Sequence, residues 1–359
     1  MSTPRFHRLR VKEVRRETPE CVSLVLEVPG ALAAQFQFTQ GQYLNVRRLV
    51  EGGEVRRSYS ICSAPADGEL RIAVKEVPEG LFSGWANRAL AAGGALEAMP
   101  PEGRFFVPLD ARHAKHYVAF AAGSGITPVL SLARATLATE PGSRFTLVYG
   151  NRNPASVIFI EALEDLKDRY LARFSLYHVF SREAQGAALF NGRIDGAKVA
   201  RFLDTLIAPQ SIDEAFVCGP ASMGDEVKAV LEARGVAAAH IHLERFAAPP
   251  AGSVTRKPSQ GSAAAKAANV TVIVDGLRYD LDLPEDGQSI LDAALKAGAD
   301  LPYACKAGVC CTCRAKLVEG EVRMDANYTL EDAEVRAGYR LTCQSHPITP
   351  RVVLDFDQR

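Results

Sequence analysis

Pro302-Tyr303-Ala304-Cys305-Lys306-Ala307-Gly308-Val309-Cys310-Cys311-Thr312-Cys313 decides the reading of the carboxyl-terminal part of this chain. With Cys343 downstream, it writes the spacing C-x4-C-x2-C-x29-C. Four thiolates are what two irons and two bridging sulfides need, and three ligands so close together require one loop wrapped around the cluster. Small residues at Ala307, Gly308 and Thr312 let backbone N–H groups approach the sulfides, and Gly308 is free to take a positive φ. Zinc favours two short cysteine knuckles or mixed Cys/His sets, whereas the fourth cysteine here stands alone with His346 nearby. The spacing therefore predicts a 2Fe-2S cluster on Cys305, Cys310, Cys313 and Cys343. Cys311 falls outside the ligand spacing and reads as a small packing residue.

Around this loop, residues 270–274 alternate as a strand, Asp275-Gly276 supplies a hairpin turn, and 277–283 return as a second strand. Residues 289–297 read as a helix leading into the loop, so 269–359 is expected to form a compact α+β domain. Just before it, 247–268 is rich in Pro, Gly, Ser and Ala without apolar periodicity and reads as a linker.

The 359 residues suffice for two or three domains, and 47% hydrophobic with 23% charged residues is an ordinary globular balance. The charge-poor stretch 117–133 is too short and too glycine-rich to span a bilayer. The first residues are charged with no apolar run after them, and the cysteines outside the cluster are scattered, so a reducing cytoplasm is expected. No nucleic-acid-binding pattern is present. Net charge is zero, yet from Asn269 onward 15 acidic side chains face 10 basic ones, against 27 and 32 before it. Opposite fields of this kind raise encounter rates between electron-carrying domains and partners.

Residues 1–110 are rich in strands and turns: 21–28, 42–50, 54–62 and 70–76 alternate or carry β-branched residues, which predicts an antiparallel barrel. Residues 111–246 change rhythm. Apolar runs at 117–122, 145–149, 176–180 and 215–218 each precede a helix-like segment, among them 159–170 and 221–233, which predicts an α/β domain with a parallel sheet.

In the barrel, Arg57-Ser58-Tyr59-Ser60 ends a strand, and Gly80-Leu81-Phe82-Ser83 opens a helix whose free N–H groups suit a diphosphate. Arg57 brings a planar fork for phosphate oxygens and Tyr59 an aromatic face, so the pair of motifs favours a flavin site. In the α/β domain, Gly123-Ser124-Gly125-Ile126-Thr127-Pro128 follows the first strand without the third glycine of the dinucleotide fingerprint. Gly123 and Gly125 still permit close backbone approach to phosphates. Cys218-Gly219-Pro220 ends the last apolar run, where ligands bind in such sheets. Ser181-Arg182 offers a hydroxyl and a guanidinium for a ribose 2′-phosphate, favouring NADPH over NADH.

These motifs resemble the ferredoxin–NADP reductase superfamily fused to a plant-type ferredoxin, over essentially the whole chain, and the resemblance implies a β-grasp-like ferredoxin domain at 269–359. More narrowly, residues 80–87, Tyr149-Gly150-Asn151-Arg152, Asn191-Gly192-Arg193-Ile194-Asp195 and residues 305–316 are similar to reductase subunits of phenylacetyl-CoA epoxidase complexes. The resemblance implies roles. Arg57, Gly80, Leu81 and Ser83 would hold the FAD diphosphate, Tyr59 would pack on the flavin, and Ser60 would lie near its reactive nitrogen. Val74 and Lys75 would also contact cofactor. Gly123, Gly125 and Thr127 would bind the phosphates of NADPH, and Arg152, Ser181 and Arg182 its adenosine end. Cys218, with Gly219 and Pro220, would approach the nicotinamide. Glu244 and Phe246, in a more weakly matching closing segment, would lie near the flavin, with Ser60, Cys218 and Glu244 as the catalytic set. The implied partner is an oxygenase component with a di-iron site, in phenylacetate catabolism. A same-architecture reductase of a steroid or aromatic-ring hydroxylase, an iron–sulfur redox sensor, and a structural zinc site are the alternatives.

Overall fold

A computed structural model describes residues 5–50, 53–246 and 267–358. The expected linker, apart from its last two residues, lies outside the described residues. The chain divides into two compact units, one formed by His7–Val55 with Tyr59–Arg245 and the other built mainly on the carboxyl-terminal part.

The first unit begins with a six-stranded antiparallel sheet in the order Gly53–Ser60, Tyr43–Val50, Ala95–Ala98, His7–Thr18, Cys21–Glu27, Leu70–Lys75. A bridge between Ile61 and Ile72 joins its two edges and closes the barrel, which removes the unpaired strand edges. Alternation does the sorting. Val22, Leu24 and Leu26 of one strand, with Leu9 and Val11 of its neighbour, point into the barrel core, while Arg8, Arg10 and Lys12 point out. The helix Leu81–Arg88 covers one mouth through Phe82 and Ala86.

The second part of this unit is a parallel sheet in the order Ile241–Glu244, Glu214–Cys218, His116–Ala122, Arg144–Asn151, Phe174–Phe180. Strand order reverses between His116–Ala122 and Glu214–Cys218, and a ligand crevice opens at such a switch point. Both sheet faces are covered, which explains the continuous apolar runs. Tyr117, Ala119 and Ala121 pack with the helices Ile126–Thr139 and Ile160–Arg169. Val118 and Phe120 pack with Gly196–Thr205 and Ala221–Ala233. Each fully buried large side chain, such as Phe120 or Phe216, contributes roughly 1.5–3 kcal/mol. The first of these cores also takes in Cys21, Cys62, Ala73 and Phe105 from the barrel, and Ser131 Oγ donates to the Ser63 carbonyl at 2.7 Å.

The carboxyl-terminal unit is a mixed five-stranded sheet ordered Leu277–Leu283, Ala268–Val274, Arg351–Asp355, Arg314–Glu319, Tyr339–Leu341. Its first hairpin turns on Asp275 and Gly276, both at positive φ (48° and 74°), the turn conformation whose twist matches the strands. Ser289 caps the helix Ile290–Lys296 by accepting from Asp292 N–H at 3.2 Å. Among the described residues no helix is long and apolar enough to cross a membrane.

Candidate functional site

The cluster loop connects the helix Ile290–Lys296 to the strand Arg314–Glu319. It doubles back because Lys306, Gly308 and Cys311 take positive φ, at 51°, 74° and 54°. Lys306 Nζ anchors the loop to Asp292 at 2.6 Å. The four expected ligands come together as two pairs. Cys305 and Cys310 are in hydrogen-bonding contact, as are Cys313 and Cys343. Cys310, Cys313 and Cys343 are buried and Cys305 half-buried.

The donor set suits anionic sulfur. The Cys305 thiol is lowered to about 6 by the hydrogen bond from Cys310 and by the N–H groups of Ala307, Val309 and Cys310. Cys343 is lowered by the bond from Cys313, by the Gln344 amide and by Gly308 N–H. Cys310 and Cys313, the donors within the pairs, are raised. Among the described residues no three His, Cys, Asp or Glu side chains converge on one metal ion. Two thiol pairs in a nest of N–H groups fit a two-iron cluster, one pair for each iron. Cys311 stands apart from both pairs, its sulfur 3.0 Å from Thr329 Oγ1.

At the switch point of the parallel sheet, the turn Gly123–Gly125 leads into the helix Ile126–Thr139. A Cβ on Gly125 would fall 2.0 Å from the Cys218 carbonyl oxygen, so only glycine lets the helix start this close to the strand end. Gly123 takes φ 53° and its carbonyl accepts from Tyr149 Oη at 3.0 Å. Lys75 Nζ lies 3.6 Å from where a Gly123 Cβ would stand, placing a cation over a helix start that carries no side-chain cap. This arrangement suits phosphate. Thr127 is buried and its hydroxyl donates to the Ser124 carbonyl at 2.9 Å, so its side chain serves the turn itself.

Ser60, Cys218 and Glu244 meet beside this crevice. Cys218 and Glu244 are register partners on adjacent parallel strands, and Ser60 hydrogen-bonds the Glu244 carboxyl. Burial pushes Glu244 up to about 8, outweighing the Ser60 bond, and pushes the Cys218 thiol up, with Glu244 adding to it. Glu244 is therefore largely a neutral acid at pH 7. In the unfolded chain it would ionise near its ordinary 4.5. The folded state thus holds more protons between these values, and its stability falls as pH rises from about 4.5 to about 8. Glu244→Gln is expected to narrow that loss: its urea midpoint relative to the parent should rise between pH 5 and pH 8. An unchanged difference would mean that Glu244 does not hold its proton in the fold.

On the barrel, Arg57 and Tyr59 share one side of their strand, Arg57 exposed and Tyr59 half-buried against the barrel core, and Ser60 lies on the other side, buried toward Glu244. The Tyr59 ring lies 5.4 Å from Phe82. A Cβ on Gly80 would meet Ser83 Oγ at 2.2 Å, and Ser83 Oγ accepts from Val77 N–H at 3.2 Å. The helix start at Leu81 is exposed, a cradle that fits a diphosphate. Asn87, which ends the matching stretch 80–87 but has no role assigned to it from sequence, braces it: Nδ2 donates to the Val74 and Ser83 carbonyls at 3.0 and 2.9 Å. Val74 itself points into the barrel core, so its side chain does not reach the crevice. Phe246 is 44% exposed beyond the last strand. Gly219 and Pro220 continue from Cys218 into the helix Ala221–Ala233.

At the far end of the sheet, Ser181 and Arg182 are exposed and hydrogen-bond through their N–H groups to the carbonyls of Asn151 and Arg152. The Arg152 guanidinium pairs with Glu20 of the barrel. The three residues therefore sit together at one strand end.

Three family models match successive parts of the chain. Residues 8–107 match the oxidoreductase FAD-binding domain, 120–229 the oxidoreductase NAD-binding domain, and 272–347 the 2Fe-2S iron-sulfur cluster binding domain. It is 45% identical over 354 residues to a subunit of 1,2-phenylacetyl-CoA epoxidase from Escherichia coli (strain K12), covering 99% of this chain and 98% of that one. It is 34% identical over 353 residues to the ferredoxin reductase component of 3-ketosteroid-9-alpha-monooxygenase from Rhodococcus rhodochrous, covering 97% and 96%. Among solved structures, phthalate dioxygenase reductase matches with TM-score 0.58 at 24% identity, covering 98% of each chain. An intact type IV self-sufficient cytochrome P450 monooxygenase matches with TM-score 0.70 at 22% identity, over 97% of this chain and 41% of that one. These two likenesses concern the fold.

Proposed function

Because this chain belongs to the family of FAD- and 2Fe-2S-containing reductase components of multicomponent oxygenases, we propose that it supplies electrons from NADPH to a di-iron oxygenase that epoxidises phenylacetyl-CoA. The observation that carries the acceptor is the end-to-end identity to the phenylacetyl-CoA epoxidase component, higher than to the steroid-monooxygenase reductase. A cytoplasmic location belongs to the same reading, as does the division into 1–110, 111–246 and 269–359.

Nicotinamide gives two electrons as a hydride and an iron–sulfur cluster takes one, so a flavin supplies the exchange between them when bound. The chain's own residues do the rest. Gly123, Gly125 and Lys75 receive the nicotinamide cofactor's phosphates at the switch point, with Gly219 and Pro220 opening the crevice. Gly80, Leu81, Ser83 and Arg57 receive the flavin diphosphate, and Tyr59 offers its ring. Ser60 and neutral Glu244 present a hydroxyl and a carboxylic acid beside Cys218, a site that adds no charge where hydride moves.

Arg152, Ser181 and Arg182 carry the NADPH preference in this reading. A 2′-phosphate would compete with Glu20 for Arg152 and find Ser181 and Arg182 exposed beside it. Anaerobic titration of the purified protein, followed by its visible spectrum, is expected to bleach flavin and cluster bands faster with NADPH than with NADH. Losing a charge-assisted hydrogen bond costs about 1.5–3 kcal/mol, so Arg182→Ala should slow NADPH reduction by roughly 10- to 100-fold and NADH reduction far less. Faster bleaching of the parent by NADH would reverse the assignment, and no bleaching by either would remove the reductase reading.

A further inference from the structure

Gln344 follows the fourth cluster cysteine, and its side chain folds back over the site. Its Nε2 lies 3.1 Å from the Lys306 carbonyl oxygen, 3.0 Å from the Cys343 carbonyl oxygen and 3.5 Å from Cys343 Sγ. All three partners are acceptors, so the NH2 group must face them; the flipped amide would set an oxygen against two carbonyls and a sulfur. An NH2 group has two hydrogens. One crosses to Lys306 in the loop of the first ligand, and the other is shared between the carbonyl and the sulfur of Cys343. The stem is fixed as well. A Cβ on Gly308 would meet Gln344 Cγ at 3.4 Å and the Ala326 carbonyl at 3.1 Å, so the glycine makes room for the Gln344 methylene. Gly308 N–H also points at the Cys343 sulfur. Besides its pairing with Cys313, Cys343 therefore has one donor from the backbone and one from a side chain that also clamps the opposite part of the loop.

Hydrogen bonds to ligand sulfur are a main lever on cluster potential, because they stabilise the more negative, reduced state. We propose that Gln344 is a positioning residue that raises the reduction potential of the cluster held by Cys305, Cys310, Cys313 and Cys343, by donating to Cys343 Sγ. The step it biases is the uptake of one electron from the flavin, with no bond made or broken. The proposal rests on the cluster assignment, and iron and acid-labile sulfide measured on the same samples separate a failure of one from a failure of the other.

The test is an anaerobic redox titration of the full-length protein, following the paramagnetic signal of the reduced cluster. Gln344→Met keeps the length and volume without an N–H. Gln344→Glu keeps the shape and replaces the donor with an acceptor. Both are expected to retain iron and sulfide and to titrate at more negative potential. At the parent's midpoint the ratio of reduced to oxidised cluster should fall by roughly three- to tenfold, the effect of one modest hydrogen bond. Tenfold corresponds to about 59 mV for a one-electron couple. A parent-like potential in either cluster-loaded variant overturns the proposal. If one variant loses its cluster, the potential of the other decides. Loss of the cluster from both, with flavin reduction intact, would make Gln344 a structural clamp and overturn the tuning role. Absence of iron from the parent would overturn the cluster assignment instead.

Discussion

Cys313→Ser should leave reduction of the flavin by NADPH within about twofold of the parent, since the altered site lies in a separate core. Electron delivery to the oxygenase, in contrast, should collapse. Cys313 is 3% exposed and pairs with Cys343, and its carbonyl accepts from Thr342 N–H at 3.2 Å and Thr342 Oγ1 at 2.9 Å. Serine occupies that space without distorting the turn. Its hydroxyl does not ionise near neutral pH and is a harder donor than thiolate, so one iron would lose a matched ligand. Substitutions one shell further out already cost 10- to 100-fold in metal affinity, so loss of a ligand should reduce coupled turnover by more than about 100-fold. Iron content, the visible spectrum and epoxide formation with the partner oxygenase check this. Near-parental coupled turnover would mean that electrons leave the flavin without passing through the cluster.

Gly125→Ala should damage the other end of the electron path. Gly125 has φ −61°, so backbone conformation does not demand glycine here. Space does: the added methyl would stand 2.0 Å from the Cys218 oxygen, 2.5 Å from its carbonyl carbon and 3.1 Å from Gly219 N. All three are backbone atoms at the end of a central strand and cannot rotate away. The helix start must instead retreat by about an ångström, at a cost of about 1–3 kcal/mol for overpacking. A misplacement of that size at a reacting centre costs about 100-fold in rate. Stopped-flow reduction by NADPH and a urea midpoint measure the two effects, with Gly30→Ala as the control because nothing lies within 4 Å of its Cβ. Parental hydride transfer in Gly125→Ala would show that this contact does not position the nicotinamide.

Legibility from sequence followed how locally each feature is encoded. The cluster ligands were readable because three lie in one loop and thiolate spacing admits few chemistries. The hairpin 268–283 and its helix were readable because Asp275-Gly276 and Ser289 are local turn and cap signals. The strand His7–Thr18 went unread because it buries only Leu9 and Val11 fully in the barrel core, with Val14 partly buried against it, amid charged neighbours, and Ala95–Ala98 is too short to show a period. A helix is expected after the run 176–180, but the bounds of Gly196–Thr205 went unread, although Asp195 caps it by accepting from Lys198 N–H at 2.8 Å and Val199, Phe202 and Leu203 form its buried stripe. That cap could have been found. The meeting of Ser60, Cys218 and Glu244 follows from strand order rather than from any spacing, and only the resemblance placed them together. Gln344 carries no motif and Asn87 only closes one; their roles depend on which carbonyls and sulfurs the fold leaves within reach.

The barrel and the parallel sheet share one apolar core, in which Cys21, Cys62, Ala73 and Phe105 are packed among residues of the helices that follow. A boundary drawn at residue 110 therefore separates two chemistries without separating two objects. The barrel supplies part of the interior of the sheet, and severing them would bare that seam to water. The flavin-side and nicotinamide-side halves are therefore expected to melt as one piece, a single transition in calorimetry of the full-length protein. Recombination that trades electron donors among such proteins has to exchange both together or rebuild the seam.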